Sequence, residues 1–214
     1  MTRNSGIAAI TGAALAIAGN AALFAVHPVV PSGKLSWPLS PHDYVFMQLF
    51  FALTQLLMAA GIFGLTRSDA VRPGRAARVL GALAVTGMSL TVPGELVLIL
   101  VRTDNADASA VSTLSGLFGL GVLLADVGLI GLGILALRQR RWSRGWAALP
   151  LALGAFQLVV VTPVSLAAGF TSVASNVTIG VADALTALIG IRLLQTTSTP
   201  QPAQARAAAG VMPD

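Results

Sequence analysis

The segment Tyr44–Leu65, YVFMQLFFALTQLLMAAGIFGL, holds 22 residues and not one charge. As an α-helix rising 1.5 Å per residue it is about 33 Å long, close to the roughly 30 Å hydrocarbon core of a bilayer. Such a run is too long for a strand and too evenly apolar for a surface helix with one greasy face. It reads as a membrane span. Two amides interrupt it, Gln48 and Gln55, which share a helical face with Ala52 and Ala59.

Five runs of the same kind accompany it. The predicted spans are about 7–26, 44–65, 77–101, 115–137, 146–168 and 176–194. Composition agrees: 10% of the 214 residues are charged, against about 25% in a soluble domain. The expected fold is all-α, a polytopic bundle of six transmembrane helices within residues 1–194. Residues 195–214, QTTSTPQPAQARAAAGVMPD, are small, polar and proline-containing, and read as a disordered tail.

Charge sets the direction. Arg3, Arg67, Arg72, Arg75, Arg78, Arg138, Arg140, Arg141, Arg144, Arg192 and Arg206 fall on one side of the predicted layer, and only Lys34 and Arg102 on the other. Basic residues collect in cytoplasmic loops, so both termini, and with them the tail, are expected in the cytoplasm. The net charge of +5 is thereby explained by topology. Basic residues are not interleaved with aromatics, so nucleic acid is not an expected partner; the bilayer is. Arg3 ahead of an apolar run also fits a signal peptide, but the run exceeds the roughly 7–15 residues of a signal core, which favours a retained span. Cysteine is absent, which removes disulfides, thiol catalysis and thiolate metal sites.

Each span carries an interrupting polar side chain. In order these are Asn20, Gln55, Glu95, Asp126, Gln157 and Asp183. Ionisable groups in hydrocarbon are costly and normally face protein or a wet cavity. The residues sharing their faces are small: Ala9, Ala13 and Ala16 with Asn20; Gly81, Ala84 and Thr91 with Glu95; Gly119 and Gly133 with Asp126; Gly154 and Ser165 with Gln157; Gly180, Ala187 and Gly190 with Asp183. Small residues let helices approach closely in lipid, so these stripes are expected at packing seams. Counted from the outer ends, Asn20, Glu95 and Asp183 lie roughly 10 Å deep and Gln55, Asp126 and Gln157 roughly 16 Å. The six are therefore the predicted ligand-binding residues of a polar pocket opening outward, above an inner half made almost purely of Leu, Ile, Ala and Gly.

Glu95 follows Pro93 and Gly94 in TVPGELVLILVRTD, residues 91–104. Proline removes a backbone donor and leaves the Ser89 carbonyl without its usual partner, so a kink is expected there. Glu95 is expected to point inward, within reach of Gln55, Asp126 or Asp183. With no basic residue at its depth, a carboxyl group drawn out of water favours its neutral form.

Other chemistry is thinly represented. His27, His42, Asp43, Asp104 and Asp107 lie in or beside outer loops without metal-ligand spacing, so no metal is expected. The chain has no P-loop and no dinucleotide-binding glycine pattern, and its single lysine, Lys34, is in a loop, which excludes a retinal Schiff base within the bundle. No cofactor is expected. The prolines around Trp37 place the first outer loop at the membrane interface, covering the pocket; Trp142 and Trp146 are expected at the opposite interface.

The pattern HPVVPSGKLSWPLSPHDYVFMQLFFALTQLLMAAGIFGLTRS, followed by GRAARVLGALAVTGMSLTVPGEL, with Pro31, Gln48, Gly61 and Glu95, resembles a class of uncharacterised six-span integral membrane proteins of high-GC, actinobacterial bacteria. The resemblance implies a bacterial plasma-membrane location and no particular activity. Three functional classes stay open: a bundle binding or moving a small or lipophilic ligand, a cation or a proton; a non-catalytic accessory subunit with a homo-oligomeric or other membrane partner; and an enzyme using a buried carboxylic acid on a lipid-soluble substrate.

Overall fold

The computed structural model describes residues 2–169 and 172–197. The chain runs through α1 (Thr2–Leu23), α2 (Pro41–Thr66), α3 (Arg75–Leu98), α4 (Ser109–Gln139), α5 (Arg144–Phe156), α6 (Thr162–Ala168) and α7 (Val173–Thr197). A 3-10 turn, Ile99–Val101, extends α3, and a π turn, Gln157–Val161, joins α5 to α6. Six helical stretches are long and apolar enough to cross a membrane, with α5 through α6 forming the fifth. They correspond to the six predicted spans, most of them extended at their polar ends, although α1 stops at Leu23 where the predicted span ran to about 26. The last helix runs to Thr197, so Gln195–Thr197, placed by the sequence in the tail, are helical; the rest of that tail lies outside the described residues.

Local chemistry explains the boundaries. Ser40 caps α2 by accepting the Asp43 amide at 3.1 Å, with Pro41 in the first turn, where its missing N–H costs nothing. Arg140 ends α4 in the left-handed region, φ 52°, its amide donating to the Ala136 carbonyl at 3.1 Å. The π turn precedes Pro163. A ring there crowds the carbonyl one α-turn back, and the wider turn instead pairs the Thr162 amide with the Gln157 carbonyl.

Pro93 does not break α3, which is continuous from Arg75 to Leu98. The helix changes only at Ile99, where it tightens to 3-10. Gly94 is a packing residue: a methyl group there would lie 2.8 Å from the Phe118 Cα of α4.

Sequential spans pack side by side and α7 closes against α1, so the bundle is a ring with α2 also touching α7. Glycines set the seams. Between α3 and α4, a methyl on Gly87 would lie 2.3 Å from the Ala125 amide nitrogen, and one on Gly128 2.4 Å from that of Ala84. Gly6 and Gly190 approach each other to close α1 on α7, and Gly61 meets Ala9 between α1 and α2. Gly133 meets Leu151 of α5, as its stripe predicts, but Gly119 is exposed and touches nothing within 4 Å. The expected Gly119–Asp126–Gly133 seam therefore holds only over its inner part. An α-helix drifts by about 20° per heptad, and over α4 that drift carries the outer end of the stripe away from its neighbours.

The interior divides in two. At the end carrying the N-terminus, Ile62, Leu65, Leu129, Leu132, Leu153, Ile189 and Leu193 form a dry core. Trp142, expected at the membrane interface, is instead buried within it, its Nε1 donating to Asp69 Oδ1 at 2.9 Å. At the opposite end the α1–α2 and α3–α4 loops clasp each other. The Leu35 amide donates to the Asp104 carbonyl at 3.1 Å, the Ala106 amide to Gly33 at 2.8 Å, and Lys34 Nζ to Thr103 at 3.0 Å. Polar side chains occupy the space between.

Candidate functional site

Glu95 faces α2. Its partner is Gln48, not Gln55, Asp126 or Asp183: the Gln48 Nε2 group donates to Glu95 Oε2 at 2.9 Å and to the Glu95 backbone carbonyl at 3.1 Å. The second bond has a local cause. In a continuing α-helix the Ile99 amide would take that carbonyl, but in the 3-10 turn it goes to Leu96. The freed carbonyl needs a donor in a place water does not reach, and the side-chain amide of Gln48, 6% exposed, supplies it. One amide thus fixes both the turn and the carboxyl group. Tyr44, half-buried, lies one helical turn before Gln48 on α2.

One level deeper, the Thr91 hydroxyl donates to the Met88 carbonyl at 2.7 Å and stands 3.4 Å from Gln55 Oε1. Beneath them Met58 packs with Ala13 and Ala16, and Met88 and Ala187 close the layer.

Asp126 sits near the middle of α4 and is 0% exposed. The backbone on either side of it is held by small residues, with Ala125 against Gly87 of α3 and the Asp126 carbonyl 2.7 Å from where a methyl on Gly154 would lie. Among the described residues neither carboxylate oxygen of Asp126 has a hydrogen-bond partner. Among the described residues Asp183, 7% exposed on α7, leaves its Oδ2 unpartnered, and the Ser165 hydroxyl of α6, 3% exposed, is likewise unpartnered. Asn20 and Gln157 are half-buried, and their side chains make no hydrogen bond among the described residues; Gln157 opens the π turn.

The predicted residues thus divide. Glu95 is tied to Gln48, Gln55 approaches Thr91, Asp126 and Asp183 are buried with free oxygens, and Asn20 and Gln157 remain at the margin. No two of the six hydrogen-bond to each other among the described residues. Gln48 was legible only as a face-mate of Gln55, and Ser165 only as a marker of its helix face. Tyr44 had one signal, its i, i+4 spacing to Gln48.

The basic side chains at the end of the bundle opposite the N-terminus are already engaged, Lys34 by the Thr103 carbonyl and Arg102 by that of Ile99 at 2.9 Å. Buried acids without basic neighbours can hold a proton, a cation or an N–H donor. Two surface grooves are present at the other end of the bundle. One, of about 390 Å³, is lined by Arg75, Arg78, Val79 and Ala82. The other, of about 290 Å³, is lined by Ser143, Gly145, Trp146, Leu149 and Leu188. Neither includes any of the six predicted residues.

No protein-family model, curated protein or solved structure matches this chain, and the resemblance to actinobacterial six-span proteins gains no support from those comparisons.

Proposed function

We propose that this chain is a multi-pass protein of a bacterial plasma membrane, with both termini in the cytoplasm, and that its polar layer binds or moves a small cationic species, protons included, entering from the outer side. The observation that carries this reading is Asp126, fully buried with both oxygens unpartnered. Burying a carboxyl group without a partner costs free energy that an apolar side chain of similar size would not. The chain supplies no cation at that depth, so the partner comes from outside it. Asp183 and Ser165, each with a free oxygen, extend the same layer. Glu95 is a positioning residue here, since Gln48 holds it to the turn that ends α3.

The test uses the full chain reconstituted in liposomes. Proton and alkali-cation flux are followed with entrapped dyes, and thermal shifts are measured with small organic cations. Flux or a saturable shift that is lost in Asp126→Asn, with the helical content unchanged, supports the reading. Wild-type behaviour of both Asp126→Asn and Asp183→Asn in every readout would reduce the layer to interhelical packing and favour an accessory role.

A further inference from the structure

We infer that the groove between α5 and α7 at the N-terminal end of the bundle is a binding site for one anionic phospholipid. The groove has two chemistries. Trp146, Leu149 and Leu188 form an apolar wall suited to an acyl chain, while Ser143 and Gly145 form its polar mouth. The Ser143 hydroxyl makes no capping bond to α5 and is free to donate to a phosphate oxygen.

Charge around the mouth is unbalanced. Arg140, Arg141 and Arg144 flank it in sequence, and none of them is in an ion pair among the described residues. Arg192 of α7 stands beside the wall residue Trp146. Its guanidinium lies 5.2 Å from the Trp142 ring centre and 5.9 Å from that of Trp146, a wall residue of the groove. Among the described residues its Nε is buried without a partner, and its Nη1 reaches Gln195 Oε1 at 3.5 Å. The nearby acid, Asp69, accepts from the Trp142 indole and offsets at most one of these four arginines. A guanidinium held between aromatic faces beside an apolar furrow matches a phosphodiester headgroup with its tail along the wall. The groove at Arg75 and Arg78 also has two arginines, but its wall comes from α3 alone and has no aromatic side chain.

This inference shares only the transmembrane setting with the proposed function, not the ligand of the polar layer. The full chain, purified in detergent, is examined by native mass spectrometry with dioleoyl phosphatidylglycerol and, separately, dioleoyl phosphatidylcholine. Phosphatidylglycerol should be retained in preference, and millimolar inorganic phosphate should not displace it. Gly145→Leu fills the mouth without disturbing the fold, because a Cβ there meets nothing within 4 Å; it should abolish retention. Arg144→Gln should weaken retention about fivefold, and Arg78→Gln should leave it unchanged. Equal retention of the two lipids, displacement by phosphate, or undiminished retention in folded Gly145→Leu overturns the proposal. Release of the protein from membranes by alkaline wash would instead overturn the transmembrane reading.

Discussion

Replacing Asp126 by leucine tests the polar layer most directly. Both side chains branch at Cγ, so leucine keeps the outline of the carboxylate and adds modest volume. In the bundle Asp126 is 0% exposed and both its oxygens lack partners. An unsatisfied buried polar group costs about 1–3 kcal/mol, and removing it returns that amount less the cost of fitting the larger methyl groups. For a chain of this size 1 kcal/mol moves the unfolding midpoint by about 2–4 °C, so Asp126→Leu should raise the midpoint of the ligand-free protein by roughly 2–10 °C. Scanning fluorimetry in detergent reads it through the tryptophans, of which Trp142 and Trp146 pack at the N-terminal end of the bundle. Asp126→Asn keeps polar atoms in the same place and should give no such rise. The leucine variant should also lose every cation-dependent shift that the wild type shows. A lower midpoint for Asp126→Leu would refute the reasoning: it would mean that these oxygens are satisfied in the resting protein and hold the bundle together.

Three other outcomes are expected. Gly87→Ala should destabilise by about 1–3 kcal/mol through overpacking, because its methyl would lie 2.3 Å from the Ala125 amide nitrogen, whereas Gly119→Ala should be neutral or slightly stabilising; thermal unfolding in detergent compares them directly. Gln48→Leu orphans the Glu95 carbonyl and carboxyl oxygens at once and should lower stability by about 2–5 kcal/mol, while Glu95→Gln keeps an acceptor for Gln48 and should change it little. In intact cells an impermeant thiol reagent should label Ser32→Cys, which lies in the exposed first outer loop, and not Ser143→Cys; the reverse pattern would invert the proposed topology.

How far the sequence reaches is visible in particular residues. Helix content and span number are local properties. In hydrocarbon a chain satisfies its backbone groups within its own helix, so the length and hydropathy of a run such as Tyr44–Leu65 decide its state before any neighbour is known. The burial of Asp126 and Asp183 is legible for a related reason: a carboxyl group is so costly against lipid that it turns inward. The partners of these groups are not legible. That Gln48 rather than Gln55 meets Glu95 depends on the axial offset of α2 against α3, and on a 3-10 turn that frees one carbonyl. Likewise α4 carries glycines on several faces, and only its packing shows that Gly121 and Gly128 meet α3, Gly133 meets α5 and Gly119 meets nothing within 4 Å. Water does not drive helices together within a membrane. Their pairing rests on close backbone approach and interhelical hydrogen bonds, which belong to two helices at once and are written in neither.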